Sequence, residues 1–248
     1  MIEQETTVQT ADGQMDMFVC HPEEGGPFPA VVMYMDAPGI REELRDMARR
    51  IGTAGYVAVL PNLYYRTGTE GKYGYDLNNV RDSEAELQKM FDVMNTLSNA
   101  GVVADTGPLL DYLKAHDQVA DGPVGCVGYC MSGQFVMAVG AAHPQFGAVA
   151  SFYGVGIITD QDDSPHLNAK DIKGEVYLAF ASHDPWVSDD VLKALPGVMA
   201  DANVNHRIEM YPNSEHGFAF PKRDAYDKPS AERHWERLFA LYGRCLGG

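Results

Sequence analysis

The sequence is short of cysteines, of basic residues and of long apolar runs. Four cysteines, Cys20, Cys126, Cys130 and Cys245, are scattered along 248 residues, without the close pairing of a zinc or redox motif. A chain of this length needs no disulfides to hold a core. We therefore expect reduced thiols, no metal and a Cys126 that belongs to the core.

No uninterrupted apolar stretch approaches the roughly 18 residues of a membrane span, and the first residues lack the basic and apolar regions of a signal peptide. These absences predict a soluble, cytoplasmic protein. Lys and Arg number 19 against 35 Asp and Glu, a net charge of −16 that repels phosphate backbones and anionic lipids. We expect a small-molecule substrate, no nucleic-acid or membrane partner, and a monomer or small homo-oligomer.

Alternating apolar runs and amphipathic segments predict an α/β fold. After an expected edge hairpin at 6–22, short buried-type strands are predicted at 29–35, 56–60, 124–129, 148–153, 175–180 and 206–211, with helices near 41–55, 78–99, 109–113, 134–142, 191–199 and 231–246. The apolar stripe within 78–99 is interpreted as core packing. We expect a single domain over 1–248, with a mostly parallel central sheet flanked by helices on both faces.

The centre of the pattern is an apolar run that breaks at Gly128-Tyr129-Cys130-Met131-Ser132-Gly133 and resumes as helix-compatible sequence. This is typical of the nucleophile elbow, a sharp strand-to-helix turn that displays a reactive side chain between glycines. Cys130 takes the place of the usual Ser, and the second Gly is displaced by one position to Gly133. The alternative is a buried cysteine at the end of a core strand.

Two further residues extend this interpretation. Asp184 and His216 each follow a predicted strand, so with Cys130 they are expected at the carboxyl edge of the sheet, where ligands bind. The order nucleophile, acid, histidine is that of α/β-hydrolases. An imidazole can take the thiol proton while a carboxylate orients the ring. His183, beside Asp184, is the competing histidine, and Asp184 before Pro185 could be a simple turn residue.

The chain resembles the dienelactone hydrolase (carboxymethylenebutenolidase) family of the α/β-hydrolase superfamily almost end to end. The matching motifs are Gly128-Tyr129-Cys130, Leu63-Tyr64 with Arg66, Tyr153-Gly154-Val155-Gly156, Asp184 before Val187, and His216-Gly217-Phe218. The resemblance implies a Cys-His-Asp triad, an acyl-thiol intermediate and no cofactor. It also implies an oxyanion hole of backbone N–H groups, here those of Ala37 and Met131.

The chain also departs from the family at the predicted binding site. The family commonly has Glu where Asp36 stands, as a carboxylate that holds the thiol proton. Arg81 is a candidate anchor for a substrate carboxylate, or an ordinary solvated residue, whereas Phe220 stands where a second arginine is expected. Lys222 and Arg223 are close to it in sequence and are the alternative cations for that role. We predict a compact pocket lined by rings, those of Tyr64, Trp186 and Phe218.

Three functions remain open from the sequence. The first is a cysteine-dependent hydrolase of small lactones or esters, and the second is a general short-chain carboxylesterase, because a fold does not fix a substrate. The third is a non-catalytic binding protein or thiol redox sensor, for which an exposed reactive cysteine would also serve. An Asp and a His in triad order favour the enzymes, since a sensor thiol needs no oriented base.

Overall fold

The computed structural model describes residues 1–247 and divides into two compact units, 1–120 and 121–248. The prediction of one domain over 1–248 stays a prediction. Within the described residues, no helix is both long enough and apolar enough to cross a membrane.

The first unit combines an antiparallel edge with one parallel strand pair. Its strands are β1 (Ile2–Thr10), β2 (Gly13–His21), β3 (Ala30–Tyr34) and β4 (Val57–Pro61), in the order β1-β2-β4-β3. The hairpin β1–β2 and the pair β2–β4 are antiparallel, whereas β3 and β4 are parallel. The predicted hairpin is confirmed, and it begins four residues earlier than the sequence pattern indicated. The helices of this unit are α1 (Glu42–Thr53), α2 (Glu84–Met94) and α3 (Asn99–Ala115).

The second unit is built on parallel strands throughout. Strands β5 (Val124–Tyr129), β6 (Phe146–Phe152), β7 (Glu175–His183) and β8 (His206–Glu215) pair in chain order, each parallel to the next. Helices α4 (Ser132–Ala142), α5 (Asp189–Asp201) and α6 (Lys228–Cys245) alternate with them, and a short 3-10 helix spans Pro165–Asp171. The prediction of an α/β class with a mostly parallel sheet is confirmed.

Local sequence accounts for where the helices begin. Four of them start after a Ser or Asp whose side chain accepts a hydrogen bond from a backbone N–H of the first turn: Ser83, Ser98, Ser188 and Asp227. Such caps satisfy donors that a helix start otherwise leaves unpaired. The caps therefore fix the residues at which these four helices begin.

The apolar stripe predicted within 78–99 is less buried than expected. Its helical spacing predicts core packing for five residues: Leu87, Met90, Phe91, Met94 and Leu97. Only Met90 is buried, and the other four are half-buried. Helix α2 is also shorter than the predicted segment and ends at Met94. Helical spacing aligns side chains on one face, but it does not determine how completely neighbouring elements cover that face.

Candidate active site

Cys130 occupies the turn between β5 and α4 in a backbone conformation that is rare for a residue with a side chain. Its φ is 55°, in the left-handed region. The backbone holds it there, because its N–H donates to Phe152 O at 3.3 Å and its carbonyl accepts from Gly133 N at 3.0 Å and Val155 N at 2.9 Å. The thiol is partly exposed, unlike that of fully buried Cys126. This is the geometry expected of a nucleophile elbow.

The glycines of the elbow are required by close packing. A Cβ on Gly128 would lie 2.4 Å from Ser132 O, and a Cβ on Gly133 would lie 2.2 Å from Gly154 Cα. Ser132, at the position where the motif usually has Gly, is accommodated in full burial. The displaced glycine is therefore explained by the loop after β6, which meets the start of α4 at Gly133.

Strand register brings Asp184 and His216 together. Residues His183 of β7 and Glu215 of β8 are register partners, so the next residue of each strand leaves the sheet beside the other. His216 Nδ1 lies 2.8 Å from Asp184 Oδ2, with side chains only 8% and 2% exposed. The second carboxylate oxygen accepts from the Trp186 N–H at 2.9 Å. Asp184 is thus fixed at both oxygens and orients the imidazole.

The competing histidine lies apart from the Asp184–His216 pair. His183 is exposed, and its Nδ1 lies 3.0 Å from Ser182 Oγ rather than near the Asp184 carboxylate. The alternation of side chains along an extended segment directs it away from the Asp184–His216 pair.

The electrostatics of His216 link it to the thiol. Burial lowers the pKa of its imidazole, but hydrogen bonding and charge from Asp184 and Cys130 outweigh burial and raise that pKa to about 9. Nε2 is buried and makes no hydrogen bond of standard geometry within residues 1–247. Cys130 therefore raises the pKa of the imidazole without a hydrogen bond of standard geometry to Nε2.

Tyr153 is a site residue to which the sequence assigned no role. It follows β6 just as Cys130 follows β5, and the preceding residues Tyr129 and Phe152 are register partners. Its φ is 40°, and its ring meets the His216 ring edge-on with centroids 5.1 Å apart. Tyr153 therefore packs against the ring that Asp184 orients. Its place in a matching motif was the only signal available from the sequence.

The other predicted site residues have varied surroundings. Trp186 is 61% exposed, with its ring centroid 6.4 Å from that of His216, whereas Phe218 is fully buried and stacks on Tyr211 at 4.8 Å. Met131, directly before α4, is 1% exposed. Substrate contacts of Trp186 and Phe218 and the oxyanion role of Met131 stay predictions.

In the first unit, Asp36 is engaged by a cation. Its carboxylate is 0% exposed and receives Arg41 Nη1 at 2.5 Å and Nη2 at 3.2 Å, while Arg41 also bonds Glu43. Tyr64 is 1% exposed and donates its hydroxyl to Ala37 O at 2.7 Å, and Arg81 is exposed. A thiol-modulating Asp36 and substrate contacts of Tyr64 and Arg81 also stay predictions.

Comparison with known proteins decides the family. The model of the dienelactone hydrolase family matches residues 15–246. The chain belongs to the dienelactone hydrolase family. The match spans both compact units and confirms both the predicted resemblance and the prediction of a hydrolase.

Individual relatives agree over nearly the whole chain. A protein of Synechocystis sp. named "Putative carboxymethylenebutenolidase" is 26% identical over 239 residues, covering 95% of this chain and 94% of the relative. A protein of the same name from Methylorubrum extorquens is 25% identical and covers 98% and 82%. The crystal structure of a "Putative Dienelactone Hydrolase" from Klebsiella pneumoniae subsp. pneumoniae has a TM-score of 0.85 at 25% identity, covering 98% of each chain. This dienelactone hydrolase homologue is thus similar in sequence and fold to hydrolases of that type.

Proposed function

We propose that this protein hydrolyses small lactones or esters with Cys130 as nucleophile, His216 as general base and acid, and Asp184 as the carboxylate that orients His216. The observation that carries the proposal is the left-handed Cys130 at the elbow, combined with a His216 that is bonded to Asp184 and has a raised pKa. A redox sensor or binding protein would need neither the oriented imidazole nor the strained turn.

The reaction proceeds in two acyl transfers. The thiol proton passes to His216, and the Cys130 sulfur attacks the carbonyl carbon, which forms a C–S bond and a tetrahedral oxyanion. Collapse breaks the C–O bond, and His216 protonates the departing alkoxide, which remains attached to the acyl group when the substrate is a lactone. His216 then takes a proton from water, whose oxygen attacks the thioester carbon to form a second tetrahedral oxyanion. Its collapse breaks the C–S bond and releases the carboxylic acid, and the proton on His216 returns to the Cys130 sulfur. The backbone N–H groups of Ala37 and Met131 are the proposed donors to the oxyanion.

A general short-chain carboxylesterase is the second candidate. Phe220, at the position where a carboxylate-binding arginine is expected, is fully buried and packs edge-on against Tyr129 at 5.3 Å. An apolar ring there offers no partner for an anionic substrate, which favours neutral esters. An exposed Trp186 near His216 is compatible with either substrate class.

The test is a panel of dienelactones, neutral lactones and aryl esters, run on wild type and on Cys130→Ala. Turnover should vanish in the variant while it still unfolds in one cooperative thermal transition, because a partly exposed thiol contributes little packing. Cys126→Ser is the control for thiol loss at a buried site, and it should keep its activity if it folds. Substantial hydrolysis by Cys130→Ala would refute the nucleophile, and the preferred substrate separates the two candidates.

A further inference from the structure

Four successive carbonyls hold the turn between β3 and α1. Asp36 O accepts from Gly39 N at 2.9 Å, which closes the turn. The next three carbonyls each accept from a side chain: Ala37 O from the Tyr64 hydroxyl at 2.7 Å, Pro38 O from the Tyr75 hydroxyl at 2.9 Å, and Gly39 O from Arg41 Nη1 at 3.2 Å. Each of these hydrogen bonds fixes one peptide plane of the turn.

The backbone N–H groups of the turn differ from its carbonyl groups, all four of which accept hydrogen bonds. Pro38 has no N–H, and Gly39 N is used within the turn. The Ala37 N–H makes no hydrogen bond to any of residues 1–247, although Ala37 is only 5% exposed. Buried backbone donors are almost always paired, so an unpaired one in a rigid turn indicates a donor reserved for a ligand.

Packing adds a further constraint. Gly39 has a φ of 84°, and a Cβ there would lie 2.5 Å from the Tyr73 ring, so the turn accepts only glycine at this position. The Asp36–Arg41 ion pair fixes the guanidinium that holds Gly39 O. The turn is therefore anchored from several directions rather than left to adjust to a substrate.

We infer that Tyr64 and Tyr75 are positioning residues for oxyanion stabilisation. The Ala37 N–H shares its peptide plane with Asp36 O, and the two hydroxyls hold the next two planes of the turn, which keep that first plane in place. This inference rests on the proposed function. Electrostatic stabilisation of an oxyanion depends on donors that are already oriented before reaction. Removing either hydroxyl frees one plane of the turn and should reduce oxyanion stabilisation without altering the triad.

The test compares Tyr64→Phe, Tyr75→Phe and the double variant with Tyr34→Phe. Tyr34 is the matched control because its hydroxyl is equally buried but bonds Thr106 Oγ1 at 2.8 Å rather than the turn. Each single variant should lose about 10-fold or more in kcat on an aryl ester, with KM nearly unchanged, because loss of one oriented oxyanion donor costs about 100-fold or more. Alkylation of Cys130 by iodoacetamide, which forms no oxyanion, should keep its wild-type rate.

The outcomes distinguish the positioning role of the two tyrosines from the proposed hydrolase function itself. Wild-type kcat in both single variants would overturn the positioning role, and so would an equal loss in the Tyr34→Phe control or a parallel loss of alkylation. Cys130→Ala is assayed beside them. If it retains hydrolysis, the proposed function fails, whereas an inactive Cys130→Ala with unchanged tyrosine variants rejects only this inference.

Discussion

At the scale of single residues, His216 is the group whose charge and orientation are set by its neighbours. His216 keeps its proton well above neutrality because Asp184 and Cys130 outweigh the effect of burial on its pKa. The ring also packs edge-on against Tyr153, so both the charge and the orientation of the His216 imidazole are set by its protein neighbours.

Asp184→Asn should lower the pKa of His216 from about 9, because burial is then opposed by the hydrogen bonding and charge of Cys130 alone. NMR titration of the His216 imidazole measures this directly. The control is His183→Asn, which removes an exposed ring that bonds Ser182 and should leave the His216 titration unchanged. A His216 pKa that does not move in Asp184→Asn would contradict the assigned pair.

The same pKa predicts how stability depends on pH. The folded pKa of about 9 exceeds the unfolded value of about 6.5, so the stabilisation is complete below the unfolded value and is lost as pH rises through the folded one. The free energy of unfolding should therefore fall between those two values more steeply in wild type than in Asp184→Asn. Urea unfolding at a series of pH values measures it, and parallel curves would contradict the predicted linkage.

At the scale of elements, the elbow is a junction of three backbones. Strand β5, the start of α4 and the loop after β6 approach so closely that Gly133 and Gly154 leave no room for a Cβ. The same loop supplies the Val155 N–H to the Cys130 carbonyl and the Tyr153 ring to His216. The positions of Cys130, the proposed nucleophile, and of His216, its proposed base, therefore depend on one loop.

Gly133→Ala should destabilise the fold by about 1–3 kcal/mol, the usual cost of overpacking a core, and should reduce the rate of Cys130 alkylation as the elbow shifts. Gly197→Ala is the matched control. It also places a methyl group on a helical glycine, but beyond its own helix backbone and chain neighbours no atom of residues 1–247 lies within 4 Å of that methyl position. Helix propensity should therefore stabilise the fold by up to about 1 kcal/mol. Denaturant midpoints at unchanged slope give both values. Equal midpoints for the two variants would show that α4 can move away from Gly154 at little cost.

Local patterns in the sequence predicted most of the strands, the α/β class and the placing of Cys130, Asp184 and His216 at strand ends. These features depend on apolar periodicity and on motifs a few residues long, which are visible without tertiary structure. The extent of α2 and the burial of its stripe were not predictable, because coverage depends on elements distant in the chain. The contacts from Tyr64 and Tyr75 to the turn join residues 27 and 37 positions apart, and no local pattern encodes them.

At the scale of the whole molecule, charge is the dominant property. A net charge of −16 creates a negative electrostatic field around the protein. This field repels an anionic lactone but has little effect on the approach of a neutral ester. Many of the arginines are engaged in ion pairs with carboxylates, among them Arg41, Arg45, Arg49 and Arg66. Arg81, the proposed anchor for a substrate carboxylate, would therefore act within a field that opposes the approach of that substrate.

Raising the ionic strength from about 0.01 M to about 1 M shortens the Debye length from about 30 Å to about 3 Å and removes this repulsion. The kcat/KM of an anionic lactone should then rise severalfold, while that of phenyl acetate stays within error. Arg81→Ala separates the local cation from the global field: if Arg81 binds the carboxylate, the variant should have a higher KM for the lactone but not for phenyl acetate, at either salt concentration. A kcat/KM for the lactone that falls with salt in wild type, and becomes insensitive to salt in Arg81→Ala, would mean that local attraction by Arg81 outweighs the net charge.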